Sequence, residues 1–437
     1  ITMKVFLALA TLVSLVASRP TCSRHPTPSI TPVYGNTSSN GTNTTTPSAG
    51  SSNSTGLASG WYPGWSSDTL SPSQIPWDKY TSLTYAFALT TPDLNQLNIT
   101  DPESVLRDFV SQAHSHNVKA LISVGGWTGS RFFSSAVATA ENRTAFTKTL
   151  MDFASKYQLD GIDFDWEFPN GEGLSCNVVS ANDSANFLEL LKEVRQKAGN
   201  DFQLTAAVRI QPFNGPDGTP MSDVSEFARV LNHIAIMAYD INGPSWSTVA
   251  GPNAPLQDSC APTQNQLGSC ASSVKAWTEA KFPANQILLG VPSYGYGFTV
   301  ESSAIGGDAQ KLAQFPGSNK GLVPPGTGET SDTQNTDVCG VASGPSGTFA
   351  YSDLVQRGFI DSKGTPASGL LSQFDNCSQT VYIYNSTSQV LINFDSTDTF
   401  KAKGNFIKEQ NLAGFAMWDI ASDTSDGALA DAIVSAM

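Results

Sequence analysis

Residues 159–169 read LDGIDFDWEFP, and three acidic side chains stand at alternate positions within them. In a β-strand, side chains two residues apart point to the same face. Asp163, Asp165 and Glu167 therefore share one face, and the apolar residues between them take the other. Burial and neighbouring like charges both oppose ionisation of such a row. The pattern predicts a strand whose acidic face lines a protein interior and performs a chemical task there.

Short apolar runs alternate with helix-like segments over residues 56–437. Strands that alternate with helices favour parallel pairing. Periodicity alone does not separate a closed barrel from an open doubly wound sheet, but a count of eight runs favours a (β/α)8 barrel, the TIM-barrel fold of the α/β class. The runs are Ala58–Tyr62, Leu83–Ala88, Val118–Val124, Leu159–Trp166, Phe202–Val208, His233–Tyr239, Gln286–Val291 and Leu412–Trp418. The helix-like segments include Glu103–His116, Arg143–Lys156, Asp183–Ala198 and Ser272–Lys281.

The seventh and eighth runs are too far apart in the sequence for an ordinary connecting loop. We expect a small α+β insertion at about 297–395, on the catalytic face of the barrel. Its expected elements are a strand at Phe349–Tyr351, a helix at Ser352–Phe359, a hairpin of Thr380–Tyr384 with Val390–Phe394, and a closing helix at Thr399–Gln410.

The composition limits the classes of partner. The 437 residues carry a formal net charge of −14 and 40% are hydrophobic. An acidic chain repels phosphate backbones and anionic lipids, so nucleic acid and membrane surfaces are poor partners, whereas a neutral polymer is compatible. No CxxC pair or histidine-rich cluster indicates a metal site. No heptad or exposed apolar helix indicates an oligomer, so we expect a monomer.

The N-terminal residues have the pattern of a secretory signal peptide, expected at 1–18. Lys4 precedes an apolar run, Val5–Ala17, that is too short for a comfortable membrane span. Residues 19–55 are rich in Ser, Thr, Asn and Pro and are expected to form an extended leader. We therefore expect a secreted, extracellular protein whose catalytic domain is 56–437. Nine glycosylation sequons agree: Asn36, Asn40, Asn43, Asn53, Asn98, Asn142, Asn182, Asn376 and Asn385.

Six cysteines in a secreted protein indicate disulfides. Spacing favours Cys260 with Cys270 and Cys339 with Cys377, which leaves Cys22 as the partner of Cys176. Six cysteines allow fifteen pairings, so the spacing does not fix this one.

Four motifs, in chain order at 123–127, 160–167, 237–240 and 414–418, resemble those of glycoside hydrolase family 18, the chitinases. Residues 160–167, DGIDFDWE, are similar to the family's DGxDxDxE signature, and SVGGW at 123–127 is similar to its SxGG element on the third strand. MAYD at 237–240 resembles the MxYD element on the sixth strand, and GFAMW at 414–418 resembles the last strand. The likeness extends over residues 56–437.

The resemblance implies a retaining hydrolase of β-1,4-linked N-acetylglucosamine that works without a metal or organic cofactor. Glu167, with a pKa raised by burial and by Asp165, would be the general acid. No second lone carboxylate stands at a suitable spacing for a nucleophile. The family instead uses the acetamide of the substrate, which forms an oxazolinium. Asp165 would orient the acetamide, Asp163 would share a proton with Asp165, and Tyr239 would donate a hydrogen bond to the acetamide oxygen.

Further residues are expected to bind the substrate. These are Gly126, Trp127, Phe168, Met237, Asp240 and Trp418, with Trp418 as the floor under the reactive sugar. Trp61, Tyr62 and Trp65 are candidates to line the cleft. Asp160 differs in strand parity from the other acids and is expected to make structural hydrogen bonds. Tyr296 stands where the family often carries arginine, which puts distal sugar contacts in doubt. The long insertion resembles that of deep-cleft members, which favours processive or end-directed cleavage.

Three other interpretations fit parts of the pattern. An Asp-x-Asp-x-Glu row can bind a divalent cation. A chitinase-like protein can bind chitin without cleaving it, although such proteins usually lack the acid found here as Glu167. An endo-β-N-acetylglucosaminidase that cuts N-glycan cores shares the acidic motif and the oxazoline chemistry.

Overall fold

The computed structural model describes residues 56–306 and 312–437. In chain order the strands are β1 (Leu57–Pro63), β2 (Ser82–Thr90), β3 (Leu97–Ile99), β4 (Lys119–Gly125), β5 (Gly161–Asp165), β6 (Gln203–Val208), β7 (His233–Ile236), β8 (Ile287–Pro292), β9 (Tyr294–Thr299), β10 (Asn335–Thr336), β11 (Ala342–Ser343), β12 (Thr348–Ala350), β13 (Leu371–Asp375), β14 (Thr380–Asn385), β15 (Val390–Phe394) and β16 (Gly414–Trp418). The α-helices are α1 (Glu103–Ser115), α2 (Gly126–Gly129), α3 (Phe133–Val137), α4 (Ala140–Tyr157), α5 (Asp183–Ala198), α6 (Ser225–Val230), α7 (Cys270–Glu279), α8 (Tyr351–Gln356), α9 (Thr397–Glu409) and α10 (Ala428–Val434).

Eight parallel strands close into a barrel in the order β1, β2, β4, β5, β6, β7, β8 and β16. Closure is provided by β1, which pairs with β2 on one side and with β16 on the other. Each of the eight apolar runs overlaps one of these strands, so the prediction of a (β/α)8 barrel is confirmed. The sixth run is longer than its strand, because β7 ends at Ile236 and the MAYD residues turn beyond the strand end.

The barrel has two apolar regions with different side chains. Between the strands and the helices, large side chains pack; Phe164 of β5, for example, lies 5.5 Å from Phe187 of α5, ring centre to ring centre. The buried residues of α5 recur at helical spacing, which explains why this segment forms an amphipathic helix. Inside the barrel the apolar residues are mostly small, and they include Ala86, Ala207, Ala235 and Ala416. Small side chains there leave room for polar groups near the mouth.

Caps explain where two of the predicted helices begin. The Thr139 side chain accepts a hydrogen bond from the Asn142 N–H, so α4 starts at Ala140, before the predicted Arg143. Ser269 and Ser272 form a capping box, which starts α7 at Cys270. The predictions for α1 and α5 agree with the structure to within one residue.

The predicted insertion lies between barrel strands β8 and β16 and is confirmed. Its centre is a five-stranded antiparallel sheet in the order β12, β9, β15, β14, β13. The predicted hairpin is β14 and β15, which pair from Val381 with Phe394 to Asn385 with Val390. The short pair β10 and β11 forms a separate hairpin within the same region.

The predicted signal peptide at 1–18 and the leader at 19–55 lie outside the described residues, as do Cys22 and the sequons at Asn36, Asn40, Asn43 and Asn53. Over 56–306 and 312–437, none of the helices combines the length and the apolar character needed to cross a membrane.

The predicted disulfide pairing is wrong. The structure joins Cys176 to Cys339 and Cys260 to Cys377. Cys270 is the first residue of α7, and its thiol is buried in the core, so it cannot bridge the exposed loop of Cys260. Cys176 therefore does not need Cys22 as a partner. Both disulfides tie a βα loop of the barrel to the insertion, a proximity that spacing along the sequence does not reveal.

A buried ion pair fixes the start of α9 against the insertion. Lys403 Nζ lies 2.7 Å from Asp395 Oδ2, and neither side chain is more than 6% exposed. The Thr399 hydroxyl donates to the other carboxylate oxygen of Asp395 at 2.7 Å. Removing one charge of such a pair leaves the other buried without compensation.

We expect Lys403→Ala to lower the free energy of unfolding by about 3–5 kcal/mol. The double variant Asp395→Leu/Lys403→Met should recover most of this loss, because it buries no charge. Lys275→Ala is a matched control, since its ion pair with Glu279 is exposed. Urea denaturation of the four proteins measures the effect, and equal midpoints for Lys403→Ala and Lys275→Ala would contradict it.

Candidate active site

A cleft of about 450 Å³ opens at the carboxyl ends of the barrel strands. Side chains at this end of a (β/α)8 barrel commonly carry out catalysis. Its lining combines aromatic side chains with three acids and a tyrosine. The residues are Trp61, Trp65, Phe87, Leu89, Thr100, Trp127, Thr128, Asp165, Glu167, Met237, Tyr239, Asp240 and Trp418.

Asp163 lies deepest on the acidic face of β5 and receives three hydrogen bonds. Its Oδ2 accepts from Trp61 Nε1 at 3.1 Å and from the Ser123 hydroxyl at 2.9 Å. Its Oδ1 accepts from the Thr205 hydroxyl at 2.7 Å. Burial raises the pKa of Asp163, and the three donors oppose that rise because they stabilise the charged form. Asp163 is therefore the best-stabilised carboxylate of the row.

Asp165 is buried one step closer to the mouth and has a different environment. Its Oδ1 has no hydrogen-bond partner in the part of the chain that the structure describes. Burial, followed by the negative charges of Glu167 and Asp163, raises the pKa of Asp165 well above its usual range. The raised pKa favours a proton on Asp165, and its unpartnered Oδ1 is available at the cleft.

Glu167 follows the end of β5 and is only partly exposed to the cleft. Burial, followed by the negative charge of Asp240, raises the pKa of Glu167 to about 8. Sequence reasoning attributed the charge effect to Asp165, but a protonated Asp165 contributes little charge. At neutral pH the Glu167 carboxyl carries a proton that it can donate, as a general acid requires.

Asp240 is held at the far side of the cleft by two tyrosines. Its Oδ1 accepts from the Tyr294 hydroxyl at 2.5 Å and from the Tyr296 hydroxyl at 2.8 Å. Its backbone has a left-handed φ of 59°, and its N–H donates to Asn253 Oδ1 at 2.8 Å. Burial raises the pKa of Asp240, and the two hydroxyl donors oppose that rise because they stabilise the charged form. A negative charge on Asp240 adds to the effect of burial in keeping Glu167 protonated.

Tyr239 lies between these acids and the barrel wall. Burial and the surrounding carboxylates raise the pKa of Tyr239 well above its usual range, so its phenol remains a hydrogen-bond donor. Gly290 on β8 makes room for it, because a Cβ at that position would lie 3.1 Å from a Tyr239 ring carbon and 2.2 Å from the Ile236 carbonyl oxygen.

Aromatic rings form the floor and walls of the cleft. Trp418, at the end of β16, stacks on Phe87 at 5.5 Å and lies 6.1 Å from Trp61 and 6.4 Å from Trp65, ring centre to ring centre. Trp65 and Trp127 are 56% and 50% exposed. Flat exposed rings beside a few polar groups suit a ligand with both apolar faces and hydroxyls, such as a sugar chain.

The chain matches the family model Glycosyl hydrolases family 18 over residues 58–423. It belongs to glycoside hydrolase family 18. A "chitinase-like effector" of Moniliophthora roreri is 45% identical over 379 residues, which cover 86% of this chain and 92% of the relative. A crystal structure of a chitinase from Rhizomucor miehei is 31% identical and has a TM-score of 0.78, covering 87% of this chain and 99% of that one. A class V chitinase from Nicotiana tobaccum in complex with NAG4 is 25% identical, with a TM-score of 0.67 over 87% of this chain and 98% of that one.

The family 18 motifs meet in one cleft. Of the predicted catalytic and substrate-binding residues, the structure brings Asp165, Glu167, Trp127, Met237, Tyr239, Asp240 and Trp418 together in the lining, with Asp163 directly beneath. Asp160 lies at the opposite end of β5, where it accepts from the Ala120 N–H at 2.9 Å and pairs with Lys119 and His114.

Three residues that were predicted for the cleft do not belong to its lining. Tyr62 is fully buried, stacks on Phe109 and donates to the Leu70 carbonyl, so its prediction as a cleft residue is wrong. Gly126 is not in the lining; a Cβ there would lie 2.8 Å from the Phe87 ring, so the glycine allows Phe87 to pack. Phe168 is half-buried and is also absent from the lining.

Sequence reasoning missed part of the cleft lining, and it did not predict the aromatic group that holds Asp240. Phe87 and Leu89 lie near the carboxyl end of β2. Phe87 belongs to the predicted run Leu83–Ala88, and its position near the carboxyl end of a barrel strand was the available signal. Trp246 is 47% exposed and packs on Tyr296 at 5.4 Å, in a loop with no sequence signal. Tyr294 and Tyr296 alternate on β9, so the period-two rule would have placed both on one face.

The cation-binding interpretation does not fit this geometry. Both oxygens of Asp163 are occupied by hydrogen-bond donors from Trp61, Ser123 and Thr205. Across the described residues, no three side chains of His, Cys, Asp or Glu are grouped as metal ligands.

The raised pKa of Glu167 predicts that the stability of the folded protein depends on pH. Between pH 4.5 and 8, the folded state keeps a proton on Glu167 that the unfolded state releases, so stability falls as pH rises through this window. We expect Glu167→Gln, which has no such proton, to be more stable than the wild type near pH 8. Its advantage should shrink towards pH 4, at no more than about 1.4 kcal/mol per pH unit. Melting curves of both proteins from pH 4 to 8.5 test this, and parallel profiles would contradict it.

Proposed function

We propose that the protein is a secreted chitinase that hydrolyses β-1,4-linked N-acetylglucosamine chains with retention of configuration. The observation that supports this best is a pair of neighbouring acids: Glu167, whose pKa is raised to about 8, and Asp165, whose buried Oδ1 has no hydrogen-bond partner among the described residues. A proton donor beside an acceptor suits a sugar that carries its own nucleophile in an acetamide group. Secretion rests on the signal-peptide pattern at 1–18.

In the first step, Glu167 transfers its proton to the glycosidic oxygen as the bond to the anomeric carbon breaks. The acetamide oxygen of the same sugar attacks the anomeric carbon and forms an oxazolinium. Asp165 Oδ1 accepts the acetamide N–H, and the proton shared with Asp163 moves to let Asp165 become negative beside the positive ring. The Tyr239 hydroxyl donates to the acetamide oxygen and positions it for attack.

In the second step, Glu167 is ionised and takes a proton from water. The water oxygen attacks the anomeric carbon from the face that the leaving group vacated, while the bond from that carbon to the acetamide oxygen breaks and the neutral acetamide is restored. Two inversions give the β-anomer and restore protonated Glu167. Trp418 would supply the floor under the reacting sugar, and Trp65 and Trp127, which line the cleft and are half-exposed, would stack on neighbouring sugars.

A non-catalytic chitin-binding role is the second candidate. The name of one relative, "chitinase-like effector", favours this role, and that relative is 45% identical to this chain over 379 residues. The aromatic lining would support binding alone. Binding alone does not require Glu167 or its raised pKa, so this role does not account for them. Both candidates predict binding of the same sugar chain, so only turnover separates them.

We expect the purified protein to hydrolyse the N-acetylglucosamine hexamer to shorter β-anomeric oligomers. Glu167→Gln should lower kcat by at least about a thousandfold while it retains binding, because it removes the proton donor but keeps the shape of the side chain. NMR of the anomeric protons during turnover, with calorimetric titration of the variant, makes both measurements. Binding without turnover in the wild type would identify a chitin-binding protein. Release of glycans from a high-mannose glycoprotein, without hexamer cleavage, would identify an endo-β-N-acetylglucosaminidase.

The pH dependence of kcat/KM should have a basic limb near pH 8, because Glu167 must be protonated to act and its pKa is about 8. Asp240→Asn removes the negative charge that helps to hold this proton, so it should move the limb to lower pH. The measurement is kcat/KM on a soluble oligomer from pH 4 to 9.5 for both proteins. A limb that stays in place or moves to higher pH would show that Asp240 does not set this titration.

A further inference from the structure

The peptide groups of Glu167 are held from both sides by side chains outside its strand. The Glu167 N–H donates to the Ser130 hydroxyl at 2.9 Å. The Glu167 carbonyl accepts from Asn177 Nδ2 at 2.9 Å. Ser130 is fully buried and directly follows α2, whereas Asn177 belongs to the loop between β5 and α5. The backbone of the proposed acid is therefore held by one fully buried residue and by one loop residue.

The loop lies directly against the carbonyl of Glu167. A Cβ at Gly173 would lie 2.1 Å from that oxygen and 2.7 Å from Asn177 Nδ2, so only glycine permits this approach. The other amide atom of Asn177, Oδ1, is buried and has no partner among residues 56–306 and 312–437. Within these residues, the Asn177 side chain therefore makes one hydrogen bond, the one to Glu167.

The two ends of this loop are anchored through Asn170 and Ser180, whereas its tip around Asn177 has few other contacts among the described residues. Cys176, Val178 and Val179 are exposed, so the loop buries little apolar surface at its tip. The Val178 N–H donates to the Arg131 carbonyl at 3.0 Å. The covalent anchor is the Cys176–Cys339 disulfide, which reaches across 163 residues to the exposed β10–β11 hairpin.

We propose that Asn177 is a positioning residue for Glu167, and that the Cys176–Cys339 disulfide holds Asn177 in place. This inference rests on the proposed function. A carboxyl displaced by about 1 Å from its reacting oxygen can lose up to about a hundredfold in rate. Loss of either element should therefore lower turnover while the barrel stays folded. The substrate-stacking rings lie on other loops, so KM should change little.

The first experiment replaces Asn177 by leucine, which has nearly the same shape without the donor. We expect kcat to fall about tenfold or more, KM to stay within about twofold, and the melting temperature to change little. Asn177→Gln, which keeps an amide donor, should recover part of kcat. An unchanged kcat, or a raised KM with normal kcat, would overturn the positioning role.

The second experiment uses the two disulfides as a matched pair. Cys176→Ser/Cys339→Ser and Cys260→Ser/Cys377→Ser each open a crosslink that spans more than one hundred residues, 163 and 117, so their effects on the unfolded chain are similar. Only the first should lower kcat, and by about as much as Asn177→Leu. Equal kcat in both double variants would overturn the role of the Cys176–Cys339 disulfide.

Hydrogen exchange separates this inference from the proposed function. In Cys176→Ser/Cys339→Ser, the amides of Glu167 and Val178 should exchange faster than in the wild type, whereas those of β6 should not. If the wild type does not cleave the hexamer, the proposed function fails but this measurement still decides the positioning. Unchanged exchange at Glu167 and Val178 would overturn it.

Discussion

The structure depends on one costly constraint, the burial of three carboxyl groups on one face of β5. Like charges at such spacing cannot all ionise in a protein interior. The molecule resolves this by giving each acid a different environment: Asp163 receives three neutral donors, Asp165 none at one oxygen, and Glu167 a charged neighbour in Asp240. Their roles differ because their surroundings differ, although the side chains are nearly the same.

The same constraint explains the packing around β5. Gly125 has a φ of 113°, and a Cβ there would lie 2.2 Å from the Asp165 carbonyl oxygen, so β4 can approach the acidic strand only with glycine at this position. Ser130 then uses that close approach, since its hydroxyl meets the Glu167 N–H and lies 3.1 Å from the Asp165 carbonyl oxygen. Residues that build the fold here also fix the acids.

Local rules made the barrel and its acidic strand predictable, whereas contacts between distant loops were not. Apolar runs and caps depend on neighbours in the chain, so strands and helices were found to within a few residues. Applied to β1, the rule of alternating faces would also have separated Trp61, inside the barrel, from Tyr62, outside it. The pairing of Cys176 with Cys339 depends on how the insertion folds over the β5–α5 loop, and no periodicity carries that information.

The free-energy cost of burying three acids on β5 also bears on whether the cleft hydrolyses a sugar chain or only binds it. Stacking on Trp418, Trp65 and Trp127 needs no protonated carboxyl, and a binding protein would gain stability by replacing Glu167 with a neutral side chain. Strain and buried charge persist where the surrounding structure holds them for a chemical purpose. Here Ser130, Asn177 and Asp240 all act on Glu167, through its backbone or its charge. Three side chains thus keep the Glu167 carboxyl in position or protonated. Sugar binding alone does not need this, so the arrangement favours proton transfer by Glu167.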